Sequence, residues 1–148
     1  MKKILRSFVF IMLINIACSD SGAVFSLEDL EWNNRVLIIS GDENENDIVE
    51  QLNLFKNKEY EILDRDLVII SPVKNQLQIS YDGLKTYQLL DKESSRTILD
   101  KYSLSSFKII LIGKDGGVKF SSKNQTQMNN INSIIDAMPM RQQEMLKG

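Results

Sequence analysis

Residues capable of acid–base or ionic chemistry gather in the last third of the chain. Lys114-Asp115-Gly116-Gly117 lies between two apolar runs, and Arg141 and Glu144 follow Pro139. A lysine, two carboxylates and an arginine in one pocket can serve as acid, base and anion anchor when burial tunes them. One reading is therefore an enzyme that uses no thiol, with Lys114, Asp115, Arg141 and Glu144 converging. A second reading is binding: Gly116 and Gly117 can expose backbone N–H groups beside Lys114 to hold a carboxylate or phosphate, while Arg141 anchors an acidic ligand or partner. Each residue also has a plain structural use. Asp-Gly is a favoured hairpin turn. Arg141, set among Met138, Met140 and Met145, can pin the terminal segment by pairing with Asp136 or with Asp115 of the hairpin.

The composition excludes much else. The 148 residues contain no histidine and one cysteine, Cys18. Without histidine neither a Ser-His-Asp triad nor a zinc site of common type can be built. Lys2, Lys3 and Arg6 precede an apolar run from Ser7 to Ala17, the build of a bacterial export signal over residues 1–23 and too short for a stable membrane span. Ala17-Cys18 resembles a lipoprotein signal in which Cys18 is lipidated, although Asn15 departs from the aliphatic residue usual there. Cleavage after Ala23, behind Ser21-Gly22, is the alternative. Either route leaves the expected mature domain, residues 24–148, without a free thiol, so neither thiol redox catalysis nor a disulfide is expected of it. Lys2, Lys3, Arg6 and Asp20 fall before that domain, which keeps 15 basic and 19 acidic side chains, a formal charge of −4. A mildly acidic domain with no basic stripe does not suit nucleic acid.

The elements that must position these residues follow from the apolar pattern. Arg35–Ser40 is a β-branched run of strand length. Asp42 and Glu45 form a plausible capping pair for a helix whose core face is Ile48, Val49, Leu52 and Phe55. Asp66–Pro72 reads as a second strand buried on both faces, giving a βαβ unit with a parallel pair. Leu77, Ile79 and Tyr81 alternate and lead to Asp82-Gly83, a two-residue hairpin signal. A helix is expected from Ser94 to Tyr102 with Ser94 and Ser95 as caps. Two antiparallel strands flank Lys114–Gly117, and a last helix runs from about Gln127 to Ala137. Met128, Ile131, Ile134, Ile135 and Met138 share one face of it; Pro139 ends it, and one further turn follows.

The order βαβ, helix, β-hairpin, helix is that of an α/β thioredoxin-like domain, a mixed sheet sandwiched by helices. "RVLIIS" after Trp32, "RDLVIIS" at 65–71, "LIGKDGGVK" and "IDAMPMRQQEM" at 135–145 resemble a bacterial domain-of-unknown-function family with a thioredoxin- or peroxiredoxin-like fold. That family is related to the DUDES domains of animal sushi-repeat and coiled-coil-domain extracellular proteins. The resemblance spans about Leu27 to Met145 and implies the fold. It also implies an active position in "SGDENEN" after the first strand, where this chain has no cysteine. Ser105 and Ser106 stand where thioredoxins place a proline.

Three further groups carry alternatives. Met128, Met138, Met140 and Met145, all within the last 21 residues, could fill core gaps or bind copper(I). Asp42, Glu43, Glu45 and Asp47 could hold calcium, but their spacing matches no recognised loop and they equally suit a helix N-terminus. Arg35 and Arg65-Asp66 lie where strand ends meet solvent. The leading expectation is an exported, non-catalytic domain without cofactor or metal, in the periplasm or on an envelope membrane. Its partner is an unidentified envelope protein or a small acidic ligand, and it meets membrane only through its signal or lipid anchor.

Overall fold

The computed structural model describes residues 22–42 and 46–147; Cys18 and its lipidation, nearly all of the export signal, and Glu43 and Glu45 lie outside them. Six strands form one mixed sheet in the order β4-β3-β2-β1-β5-β6. They are β1 (Arg35–Ser40), β2 (Leu67–Val73), β3 (Gln76–Ser80), β4 (Gln88–Leu89), β5 (Lys108–Ile112) and β6 (Val118–Ser122). β1 and β2 are parallel, with Arg35 opposite Leu67, and every other pairing is antiparallel. The helices are α1 (Asn46–Leu54), α2 (Glu59–Leu63), α3 (Lys92–Lys101), α4 (Met128–Asp136) and α5 (Pro139–Lys147), with a 3-10 turn over Leu27–Leu30.

Strand alternation divides the core in two. Leu37, Ile39, Leu67, Ile69, Ile109 and Leu111 face α1, α2 and α4, meeting Ile48, Phe55, Ile62, Met128, Ile131 and Ile135. Val36, Ile38, Val68, Ile70, Ile110 and Ile112 face the other way, clustering with Leu77 and Ile79 of β3 and with Ile98 and Leu104. Central strands buried on both faces explain why their sequences are continuously apolar. The arrangement is a mixed α/β sandwich, consistent with a thioredoxin-like fold.

Several local expectations change. Val49 is 53% exposed and Gln51 is fully buried, so the inner face of α1 is 48, 51 and 52, continued by Phe55 just past its end. Gln51 is held there by exchanging hydrogen bonds with the Thr126 backbone at 2.9 and 2.7 Å. Asp82-Gly83 does not make a two-residue hairpin. Seven residues separate β3 from β4, because the Asp82 carboxylate gathers Ser80 Oγ and the N–H groups of Lys85 and Thr86 into a wider loop. The tight two-residue turn is Lys74-Asn75, between β2 and β3. α3 is capped by Asp91, which accepts from Ser94 N–H at 2.6 Å. Ser94 and Ser95 lie inside the helix, their hydroxyls accepting from Phe25 and Leu77 N–H. Pro139 ends α4 and also opens α5, where its missing N–H and fixed φ suit a first turn.

Candidate functional site

The loops at the start of the parallel strands bring charged side chains from five segments together. Arg35 opens β1 and is almost completely buried. One guanidinium nitrogen donates to the Arg65 carbonyl at 2.9 Å and another to both Glu144 oxygens at 3.2 and 3.1 Å. Because β5 runs antiparallel to β1, its end delivers Lys114 to the same place. There Lys114 Nζ donates to Asp66 at 2.7 Å and to Glu144 at 2.8 Å. Arg65 grips Asp136 through two parallel bonds of 3.0 and 2.7 Å. Arg141, on α5, donates to the Asp64 carbonyl at 2.6 Å and also binds the Asp64 carboxylate; it reaches Asp136 at 3.4 Å and Glu144 at 3.8 Å. Four cations and four carboxylates thus form one connected network among the described residues, with Glu144 touching three of the cations.

The electrostatics follow from this wiring. Burial on its own would raise the Glu144 and Asp136 carboxyls, but Lys114 and Arg35 around the first, and Arg65 and Arg141 around the second, hold both below the usual carboxylate range. Burial opposes the charge of Arg141, yet Asp64 and Asp136 more than compensate and raise its pKa.

Three of the four residues expected to converge do so. Lys114, Arg141 and Glu144 share the network, whereas Asp115 turns outward to Lys119 Nζ at 2.6 Å and to Gly117 N–H at 3.1 Å. Asp115 therefore does not meet Arg141, and the pin between the hairpin and the terminal helix is Lys114–Glu144 instead. The turn's N–H groups are also engaged: Gly117 donates to Asp115 and Gly116 to the Gly113 carbonyl at 3.0 Å. Gly116 adopts φ 75°, and a Cβ there would meet Glu31 Oε1 at 2.5 Å. The positive φ favours glycine there, while the Glu31 side chain is free to swing aside.

Beside the network an open groove of about 650 Å³ runs between the β5–β6 turn and the α4–α5 junction, within the range of about 300–1,000 Å³ usual for ligand-holding clefts. Trp32, Ile134, Met138 and Met140 supply its apolar lining, and Arg35 and Lys114 contribute to its polar side. Trp32 is 67% exposed. It is held at φ 65°, with its N–H donating to the Lys114 carbonyl at 2.6 Å. A bulky residue in that conformation is strained, and such strain clusters at functional positions. In the sequence Trp32 stands out only as the single tryptophan, ahead of the first strand; nothing local reveals that its ring faces a cleft. Asp64, too, shows no signal before folding places it against Arg141.

The methionines divide by position. Met128 is buried in the core, Met138 and Met140 line the groove, and Met145 is 48% exposed. Among the described residues no three His, Cys, Asp or Glu side chains are grouped so as to hold a metal ion, and no helix is long and apolar enough to cross a membrane.

The fold and this terminal network define a mixed α/β domain whose hairpin turn and last helix are locked to the strand starts by ion pairs. The chain belongs to the family described as Domain of unknown function (DUF4174), whose model matches residues 26–144. The matched region contains every member of the network. No curated protein matches the chain.

Proposed function

We propose that this is an exported, thioredoxin-like binding domain, of the bacterial lineage its motifs resemble, which docks a partner protein in the groove beside Trp32. The observation that carries this reading is Trp32 itself: a large aromatic side chain kept two-thirds exposed in a strained backbone conformation at the lip of an apolar cleft. Exposed aromatic and methionine side chains around a cleft are what an interface draws its energy from.

The ionic network supports binding over catalysis. Lys114 already meets two carboxylates within 2.8 Å, and Glu144 is held ionised by its cations. With its pKa lowered, Glu144 is not poised to exchange a proton near neutral pH, and Lys114 has its donors engaged by the chain's own carboxylates. The same saturation argues for a protein partner over a small acidic ligand, since the buried cations are neutralised by the chain's own carboxylates. The network's role is then to fix the groove walls, joining the Trp32–Lys114 side to the Met138–Met140 side through Glu144.

A photoreactive residue at position 140, introduced in the cell that makes the protein, tests the reading. Crosslinks should form at position 140, fail at the exposed Val49 on α1, and disappear in Trp32→Ala. Equal crosslinking at both positions, or no dependence on Trp32, would overturn it.

A further inference from the structure

The groove is apolar where it is open and charged where it is closed. Trp32 and Met140 are exposed along it, whereas Arg35 and Lys114 are buried and already bound to carboxylates. Lys119, at the rim, is held by Asp115 at 2.6 Å. The charges bordering the groove therefore cancel. An acidic occupant would bring an uncompensated charge to this balance, while a neutral one leaves it undisturbed.

One polar group of the groove lining remains unmatched. Arg35 Nε–H is, among the described residues, the only buried side-chain nitrogen without a hydrogen-bond partner, and Arg35 contributes to the groove lining. Leaving such a donor unpaired costs about 1–3 kcal/mol. The Nε–H is screened from solvent, so a neutral carbonyl oxygen of an occupant satisfies it, without adding charge, only where the groove wall gives way; a methionine wall is of the kind that re-packs around an occupant.

The neighbouring strand adds to this. Opposite β5, the partner of Leu111 is Phe120 and that of Ile112 is Val118, so Lys119 is an extra, bulged residue that contributes to the groove. β6 ends the sheet, and no strand among the described residues pairs with its outer edge. An extended chain approaching this side meets backbone groups as well as apolar walls.

Resting on the reading of the groove as a docking surface, we infer that its occupant is a neutral, apolar segment of a partner polypeptide. A peptide carbonyl serves the Arg35 donor, and apolar side chains lie against Trp32 and Met140.

The test titrates a library of acetyl- and amide-capped hexapeptides of Leu, Phe and Ala into the purified protein. Occupancy is followed by the emission of Trp32, the only tryptophan. The expected result is a saturable blue shift for a subset of peptides, with affinity at least tenfold weaker when a central Leu is replaced by Asp. Calorimetry should show a similar loss in Met140→Lys, a change at an exposed position that leaves the core intact. Three results would overturn the inference: equal or tighter binding of the Asp peptide, saturable binding of octanoate but not of any capped peptide, or no binding of either probe. If crosslinking at position 140 still depends on Trp32 in those cases, the groove remains a docking surface and only the neutral-peptide assignment fails.

Discussion

The two ends of the sheet solve the same problem in different ways. At the carboxyl ends of β1 and β2, Ser40, Gly41, Asp42, Pro72 and Ser105 border a depression of about 380 Å³. This is where the thioredoxin-like layout places its active position. Ser40 is fully buried, and its single hydroxyl proton is shared between the carbonyls of Ser106 and Lys108, at 3.0 and 3.2 Å, with no charge involved. At the opposite end, Arg35, Arg65, Lys114 and Arg141 are satisfied by carboxylates drawn from separate segments of the chain. The first end can lose a contact and keep its shape. At the second, removing one charge unbalances a buried network, and loss of Glu144 leaves Arg35 with no carboxylate, so the ends should respond very differently to substitution.

Glu144→Ala should have the largest effect, because it leaves the buried Arg35 without a carboxylate and Lys114 with Asp66 alone. The expected loss is about 3 kcal/mol, the low end for breaking a buried pair, since 27% of the Glu144 side chain remains exposed. Urea unfolding measures it, and a loss below about 1 kcal/mol would place the network among ordinary surface pairs.

Acid should attack the same end. Glu144 and Asp136 bind protons less readily in the folded chain than in the unfolded one. Between the two pKa values the unfolded state holds more protons, so stability rises with pH there. The stability these carboxyls contribute is complete above the ordinary values of 4.5 and 3.8 and is lost as pH falls through the lower folded values. Urea midpoints from pH 7 down to pH 3 should show this decline, and Glu144→Gln should make it shallower.

At the other end, Ser40→Ala removes one neutral hydroxyl donor shared between two carbonyls and should cost about 1 kcal/mol. Peptide-dependent Trp32 fluorescence should not change in this variant; a change would mean that the two ends communicate. The smallest effect belongs to Asp115→Ala. Its partner Lys119 is exposed at the rim, so the loss should stay below about 0.5 kcal/mol, and a larger drop in unfolding free energy would assign the turn more than its local geometry.

Legibility followed the range of the interactions. β1, β2, the parallel pairing, the β5–β6 hairpin and α4 could be read because apolar periodicity is a local property, visible within ten residues. The β3–β4 hairpin was misplaced because Asp82-Gly83 has the composition of a tight turn, while the Asp82 carboxylate binds N–H groups up to four residues away. Helical spacing alone puts Val49 on the core face, yet it is 53% exposed. The burial of Gln51 depends on Thr126, 75 residues distant.

The candidate site divides in the same way. Lys114, Arg141 and Glu144 stand out in the sequence as charged residues among glycines and methionines, and Asp115 does so equally, although its contacts are confined to its own hairpin. By itself the sequence determined the α/β layering, the absence of histidine and the restriction of cysteine to Cys18. Those properties rest on composition and short-range pattern. Only the tertiary structure decided which carboxylate meets which cation, that Glu144 joins Arg35 across 109 positions, and that Trp32 stands open beside a cleft. Ion pairing has no sequence period; partners are selected by which loops the sheet topology brings within reach.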